Sequence, residues 1–88
     1  MPEISRFFGI IIRMYQGDHV PPHFHAFYGD EEVQINIETT DIIKGSLPLK
    51  QLRMVQLWAT LHQFELMENF NELYKGNYTW IKIEPLKL

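Results

Sequence analysis

The chain is 88 residues long, 45% hydrophobic and 14% aromatic, without cysteine and with a formal net charge of −3. That is enough apolar material for one small core and one domain spanning 1–88, and too little chain for more. It excludes disulfide staples, thiolate metal sites and the strongly basic surface of a general nucleic-acid coat, while a local basic patch from Arg6, Arg13, Lys50 and Arg53 stays open. The longest apolar runs fall far short of a membrane span. Residues Met1–Arg6 lack a signal peptide's basic start and apolar stretch, so a cytoplasmic protein is expected.

In chain order, Phe7 to Tyr15 reads as one strand. Phe8, Ile10, Ile12 and Met14 fall on one face, and Phe7, Gly9, Ile11, Arg13 and Tyr15 on the other. Gln16-Gly17-Asp18 signals a turn. A second strand runs from His23 to Tyr28, with His23, His25 and Phe27 opposite Phe24, Ala26 and Tyr28. After a turn at Gly29-Asp30-Glu31, Glu32 to Glu38 alternates cleanly, with Val33, Ile35 and Ile37 inward. Short connections favour an antiparallel three-stranded meander, to which Asp41–Gly45 adds a short fourth strand.

Ser46-Leu47-Pro48 opens a helix, serine as cap and proline in the first turn. At ~100° per residue, Leu47, Met54, Leu57, Trp58 and Leu61 form a stripe. A second set, Leu66, Met67, Phe70, Leu73 and Tyr74, is rotated by roughly 150° from it. A break between His62 and Glu65 accounts for this. So does a continuous helix whose second stripe serves a protein partner or a second copy through Leu66, Met67, Phe70 and Tyr74, and we lean toward the partner. Gly76-Asn77 stops the helix, and Trp80–Glu84 is a last short strand or a tail. The fold class expected is α+β: a small antiparallel sheet of three to four strands packed by one long or kinked C-terminal helix.

The segment richest in chemistry is Asp18-His19-Val20-Pro21-Pro22-His23-Phe24-His25, with three of the four histidines. The two prolines restrict the path between them toward extended backbone. His23 and His25, two apart on a strand, leave the same face about 6.5 Å apart along the backbone. Two imidazoles so placed can converge on a divalent metal, with Asp18, His19 or His62 as a further ligand. Without a metal, the same His23 and His25 could serve as general acid and base, and Arg6 or Arg13 could steady an anion, as in a small hydrolase or endoribonuclease. The plain alternative is two polar-tipped rings satisfied by water and backbone, with Arg13 and Tyr15 marking a solvent edge. Trp58 lies within the first stripe and reads as a core anchor. His62 reads as a residue completing a helix end.

Several segments resemble one bacterial family in order along the chain. These are Ile4-Ser5-Arg6-Phe7-Phe8-Gly9-Ile10, Asp18-His19 with Pro21-Pro22-His23-Phe24-His25-Ala26, Gly45-Ser46-Leu47-Pro48, Leu57-Trp58-Ala59 with Leu61-His62, and the ending Ile83-Glu84-Pro85-Leu86. The family is domain of unknown function 4160. The resemblance implies a small stand-alone protein without an established activity. It also implies a gene often beside another small one, in an arrangement similar to toxin–antitoxin or regulatory pairs. It assigns no catalytic residue. The functional expectation is therefore a binding or regulatory protein with a histidine-rich surface site, the alternative being a metal-dependent or metal-free small hydrolase or endoribonuclease; no cofactor is assigned, and a divalent ion is the one candidate those residues offer.

Overall fold

A computed structural model describes residues 2–87. Five strands, β1 (Glu3–Phe7), β2 (Ile10–Arg13), β3 (His23–Tyr28), β4 (Glu31–Asn36) and β5 (Ile42–Gly45), precede two helices, α1 (Leu49–Leu61) and α2 (Gln63–Tyr74). The strands form one antiparallel meander in the order β1-β2-β3-β4-β5, so β3 is central.

The expected first strand is two strands. Phe8 and Gly9 both take positive φ (49° and 79°), the backbone of a two-residue hairpin turn whose twist matches its strands. Phe7–Tyr15 therefore folds back on itself, pairing Phe7 with Ile10 and Arg6 with Ile11, and the sheet has five strands rather than three or four. The short fourth strand at Asp41–Gly45 is present as β5. Trp80–Glu84 is a tail, tied down by Ile83 N–H donating to the Ile4 carbonyl (2.9 Å). The Val20–Pro21 peptide is cis, where a plainly extended path was expected.

The pleat sorts each strand between two faces. Ile10, Ile12, Met14, Phe24, Ala26, Val33 and Ile35 point into the core, under Val55, Trp58, Ala59, Leu66, Phe70 and Leu73 of the helices. Trp58 is the anchor expected: its ring meets Phe7 and Phe24 at 5.3 and 5.8 Å, and its Nε1–H donates to the Glu84 carbonyl at 2.8 Å.

The C-terminal helix breaks at His62 (φ −120°, ψ 26°). The break re-phases the chain, so both halves reach one core. Leu66, Phe70 and Leu73 are buried by the chain itself, Met67 is half-buried, and only Tyr74 of that set is exposed. The cover expected from a partner thus comes from within for its central residues. In α1 the core face is Val55, Trp58 and Ala59, while Leu57 and Leu61 are exposed. Of the expected stripe within α1 only Trp58 is buried, and the small Val55 and Ala59 complete the core face in place of Leu57 and Leu61. Ser46 is not the cap. Pro48 holds that position without a side-chain bond, and its carbonyl accepts from Leu52 N–H at 2.9 Å. Gly76 ends α2 as expected. Its φ is 87°, and Gly76 and Asn77 N–H donate to Leu73 and Glu72 carbonyls.

Candidate metal-binding site

The face of the sheet away from the core carries the polar half of every alternation. The register aligns Arg13 with His25, His25 with Gln34 and Gln34 with Lys44, one row across four strands. His23 and His25 project from β3 on this face, their ring centroids 5.2 Å apart. Each residue is only 7% exposed. The Tyr15 ring packs edge-on to His25 at 4.6 Å, Phe27 lies nearly parallel to it at 6.4 Å, and Phe70 of α2 meets His23 at 5.9 Å.

Two further side chains complete the cluster. Asp18, from the loop between β2 and β3, brings one carboxylate oxygen, Oδ2, to 3.0 Å from His25 Nε2 and 3.3 Å from His23 Nε2. The other nitrogens are held from behind. His25 Nδ1 lies 2.9 Å from Glu32 Oε2, and His23 Nδ1 lies 2.8 Å from the Pro21 carbonyl oxygen. A carbonyl and a carboxylate only accept, so both Nδ1 atoms are the donors. In neutral imidazoles that leaves both Nε2 lone pairs aimed at the same anionic oxygen. Such an arrangement repels itself unless a cation lies between, either protons on the rings or a metal ion.

The spacing suits a metal. Ligand bonds of about 2.0–2.2 Å at tetrahedral to right angles put neighbouring ligand atoms about 2.9–3.5 Å apart. The two distances from Asp18 fall in that range, and the three ligand atoms all lie within 4.8 Å of one another. Glu32 and Pro21 do what outer carboxylates and carbonyls do at metal-bound histidines: they fix the tautomer and the ring orientation.

Of the other candidates, His19 is exposed and His62 is bound to Glu65 at 2.7 Å beside Trp58; neither joins the Asp18-His23-His25 group. Arg6 is exposed and forked onto Glu3, Nε to Oε2 at 3.2 Å and Nη2 to Oε1 at 2.8 Å. This hydrogen bonding from Arg6 holds the Glu3 carboxyl below its ordinary range and raises the Arg6 guanidinium. Arg13 is half-buried on the site face, its Cζ 5.4 Å from the centre of the Phe27 ring. Sequence reasoning put Phe27 on the face of His23 and His25 but missed Glu32 and Tyr15 as neighbours of the histidines. The outward alternation Glu32-Gln34-Asn36 held the signal for the first, once β3 and β4 are put in register. A cavity of about 470 Å³ lies elsewhere, lined by Glu68, Glu72, Lys75 and Thr79 among others. Its Glu72 is already occupied by Thr79 and Asn77, and the convergent donors of the histidine cluster make the stronger case for a site.

Comparison with known families agrees with the block of residues that builds this site. The family described as Domain of unknown function (DUF4160) matches residues 9–71. The chain belongs to this family. The matched span holds Arg13, Asp18, His23, His25, Glu32 and Phe70; of the resembling segments, Ile83–Leu86 and the Ile4–Phe8 part of Ile4–Ile10 lie outside it. No curated protein matches the chain, and no solved structure does.

Proposed function

We propose that this family member binds a divalent first-row metal ion through Asp18 Oδ2, His23 Nε2 and His25 Nε2. The observation that carries the reading is the convergence of both Nε2 atoms on one carboxylate oxygen at 3.0 and 3.3 Å while both Nδ1 atoms donate elsewhere. Two imidazoles and one carboxylate suit zinc, iron(II) or manganese(II), and three protein ligands leave positions open for water or a ligand atom.

The test is metal content and calorimetry on the full chain at a pH of about 7.5, where a free imidazole is mostly neutral. One equivalent of Zn²⁺ is expected, abolished in the His23→Ala, His25→Ala double variant and strongly weakened in Asp18→Asn. Native protein that takes up no Zn²⁺, Mn²⁺ or Co²⁺ overturns the reading. Circular dichroism on each variant separates lost ligands from lost fold.

The wider role in this reading is binding and regulation in a bacterial cytoplasm, as one half of a toxin–antitoxin-like pair; its support is the family resemblance. The enzymatic version keeps the same centre, with a metal-bound water as the nucleophile of a small hydrolase or endoribonuclease. A protein partner or second copy would meet Met67 and Tyr74, the members of the second stripe not fully covered by the chain. Light scattering on native protein and Tyr74→Glu tests the second-copy version. A native monomer at high concentration removes it.

A further inference from the structure

Among the described residues, Arg13 makes no ion pair, and the carboxylate opposite it, Glu3, feels its charge but is bonded to Arg6. Arg13 stands directly opposite His25 in the β2–β3 register, half-buried, with its guanidinium on the Phe27 ring. Its Nε is buried and has no hydrogen-bond partner. Among the described residues no carboxylate lies within ion-pair distance of it. The three acids around it are engaged elsewhere. Glu3, its cross-strand neighbour on β1, has both oxygens taken by Arg6, Asp18 is shared by the two histidines, and Glu32 holds His25.

Half-burying a guanidinium beside its own kind of partner, while all the partners are committed, has an energetic cost that a ligand can offset. Charge accounting gives the sign of that ligand. With a divalent ion bound, Asp18 and Glu32 balance the ion, and the charge of Arg13 is left over. Geometry gives its shape. A ligand must offer one oxygen to an open metal position and others to a planar fork of N–H donors, as a tetrahedral oxyanion does. A cavity of about 150 Å³ is lined by Glu32, Gln34, Lys44 and Gly45. Lys44 ends the row that runs from Glu3 through Arg13, His25 and Gln34, so a second cation borders the same face.

We infer that the metal-loaded site takes a phosphate group, held between the ion and the Arg13 guanidinium. The inference rests on the metal reading above, and the experiment keeps the two apart. The full chain is loaded with Co²⁺, whose visible absorption reports both occupancy and a change of ligand in an open position. Inorganic phosphate and 5′-AMP are then titrated separately, with acetate as the control anion. Saturable spectral change with phosphate, or with phosphate and AMP together, supports the inference, and the AMP arm tells free phosphate from an esterified one. Arg13→Gln should bind Co²⁺ as tightly as the native chain and phosphate about tenfold more weakly or worse; Arg13→Lys, which keeps the charge and loses the fork, should fall between them. Co²⁺ binding with no response to phosphate overturns the inference and leaves the metal reading standing. So does an Arg13→Gln variant with native phosphate affinity, or acetate binding as tightly as phosphate. A chain that binds no Co²⁺ removes both.

Discussion

Phe70 joins the core to the site, so its truncation is the most revealing single change. The residue is 3% exposed, stacks on Tyr74 at 5.8 Å and meets the His23 ring at 5.9 Å. Phe70→Ala removes a fully packed ring from a core of 88 residues. The loss of transfer free energy and the cavity together cost about 3–5 kcal/mol. A domain of this length has roughly 4–13 kcal/mol to lose. At the lower end of that range the variant sits at its unfolding threshold at room temperature, and at the upper end it stays folded with roughly a third less stability. Urea denaturation followed by tryptophan fluorescence is the assay, since Trp58 is completely buried. Phe70→Leu keeps most of the volume, should cost about 1.5 kcal/mol or less, and supplies a folded comparison if the alanine variant does not fold. Its slackened contact with His23 should also weaken Zn²⁺ uptake. The reasoning is refuted if Phe70→Ala loses less than about 1 kcal/mol while a native oligomer dissociates, because the ring would then belong to an interface rather than to this core.

Other positions give narrower tests. Glu32→Gln keeps an acceptor for His25 Nδ1 but removes its charge, so metal affinity by calorimetry should fall about tenfold with stability little changed. Gly45→Ala puts a Cβ into the Glu32 carbonyl at a φ of 83°; a loss of about 2–4 kcal/mol in urea unfolding is expected, with Zn²⁺ uptake weakened as the Glu32 backbone shifts. Glu72 is held below its ordinary value of 4.5 by hydrogen bonds from Thr79 and then Asn77. A depressed carboxyl stabilises above its unfolded pKa and ceases to as pH falls through the folded one, so any stability advantage of native protein over Glu72→Gln should be present above that ordinary value and shrink as the pH is lowered below it.

Local patterns made much of this molecule legible. β3 runs over the residues its alternation marks out, and of the two solutions the helical stripes leave open, a break near His62 or a continuous helix covered by a partner, the break is the one that forms. That His23 and His25 share a face follows from their spacing alone. Other features depend on information the local pattern lacks. The β1–β2 hairpin hides inside an apolar run because its turn uses Phe8 where Asn or Asp would have announced it. β4 ends at Asn36, two residues before its alternation does, because the Asn36 side chain accepts from Glu38 and Thr39 N–H and turns the chain. Asp18 reaches the histidines by the path of a nine-residue loop, 14–22, and Glu32 by register; both are long-range facts. His62 is drawn off by Glu65, three residues along its own chain.

The placement of the cluster itself bears on function. The outer face of a small sheet can be stabilised by simple cross-strand pairs, and nothing about folding asks for two nearly buried histidines on its central strand. Here the central strand supplies two donors, a loop supplies the third, and the neighbouring strand and the loop backbone hold the rings from behind. Strands on both sides of β3 fix the histidine backbones, which is the rigid support that a ligand set requires. Arg13 adds a cation to the same row with its Nε buried and unpaired. For a chain with so little core, these are departures from the most stabilising choice, and they coincide at one place. Departures gathered at one place are what the proposed metal site requires, because a ligand can restore there what the fold alone leaves unbalanced.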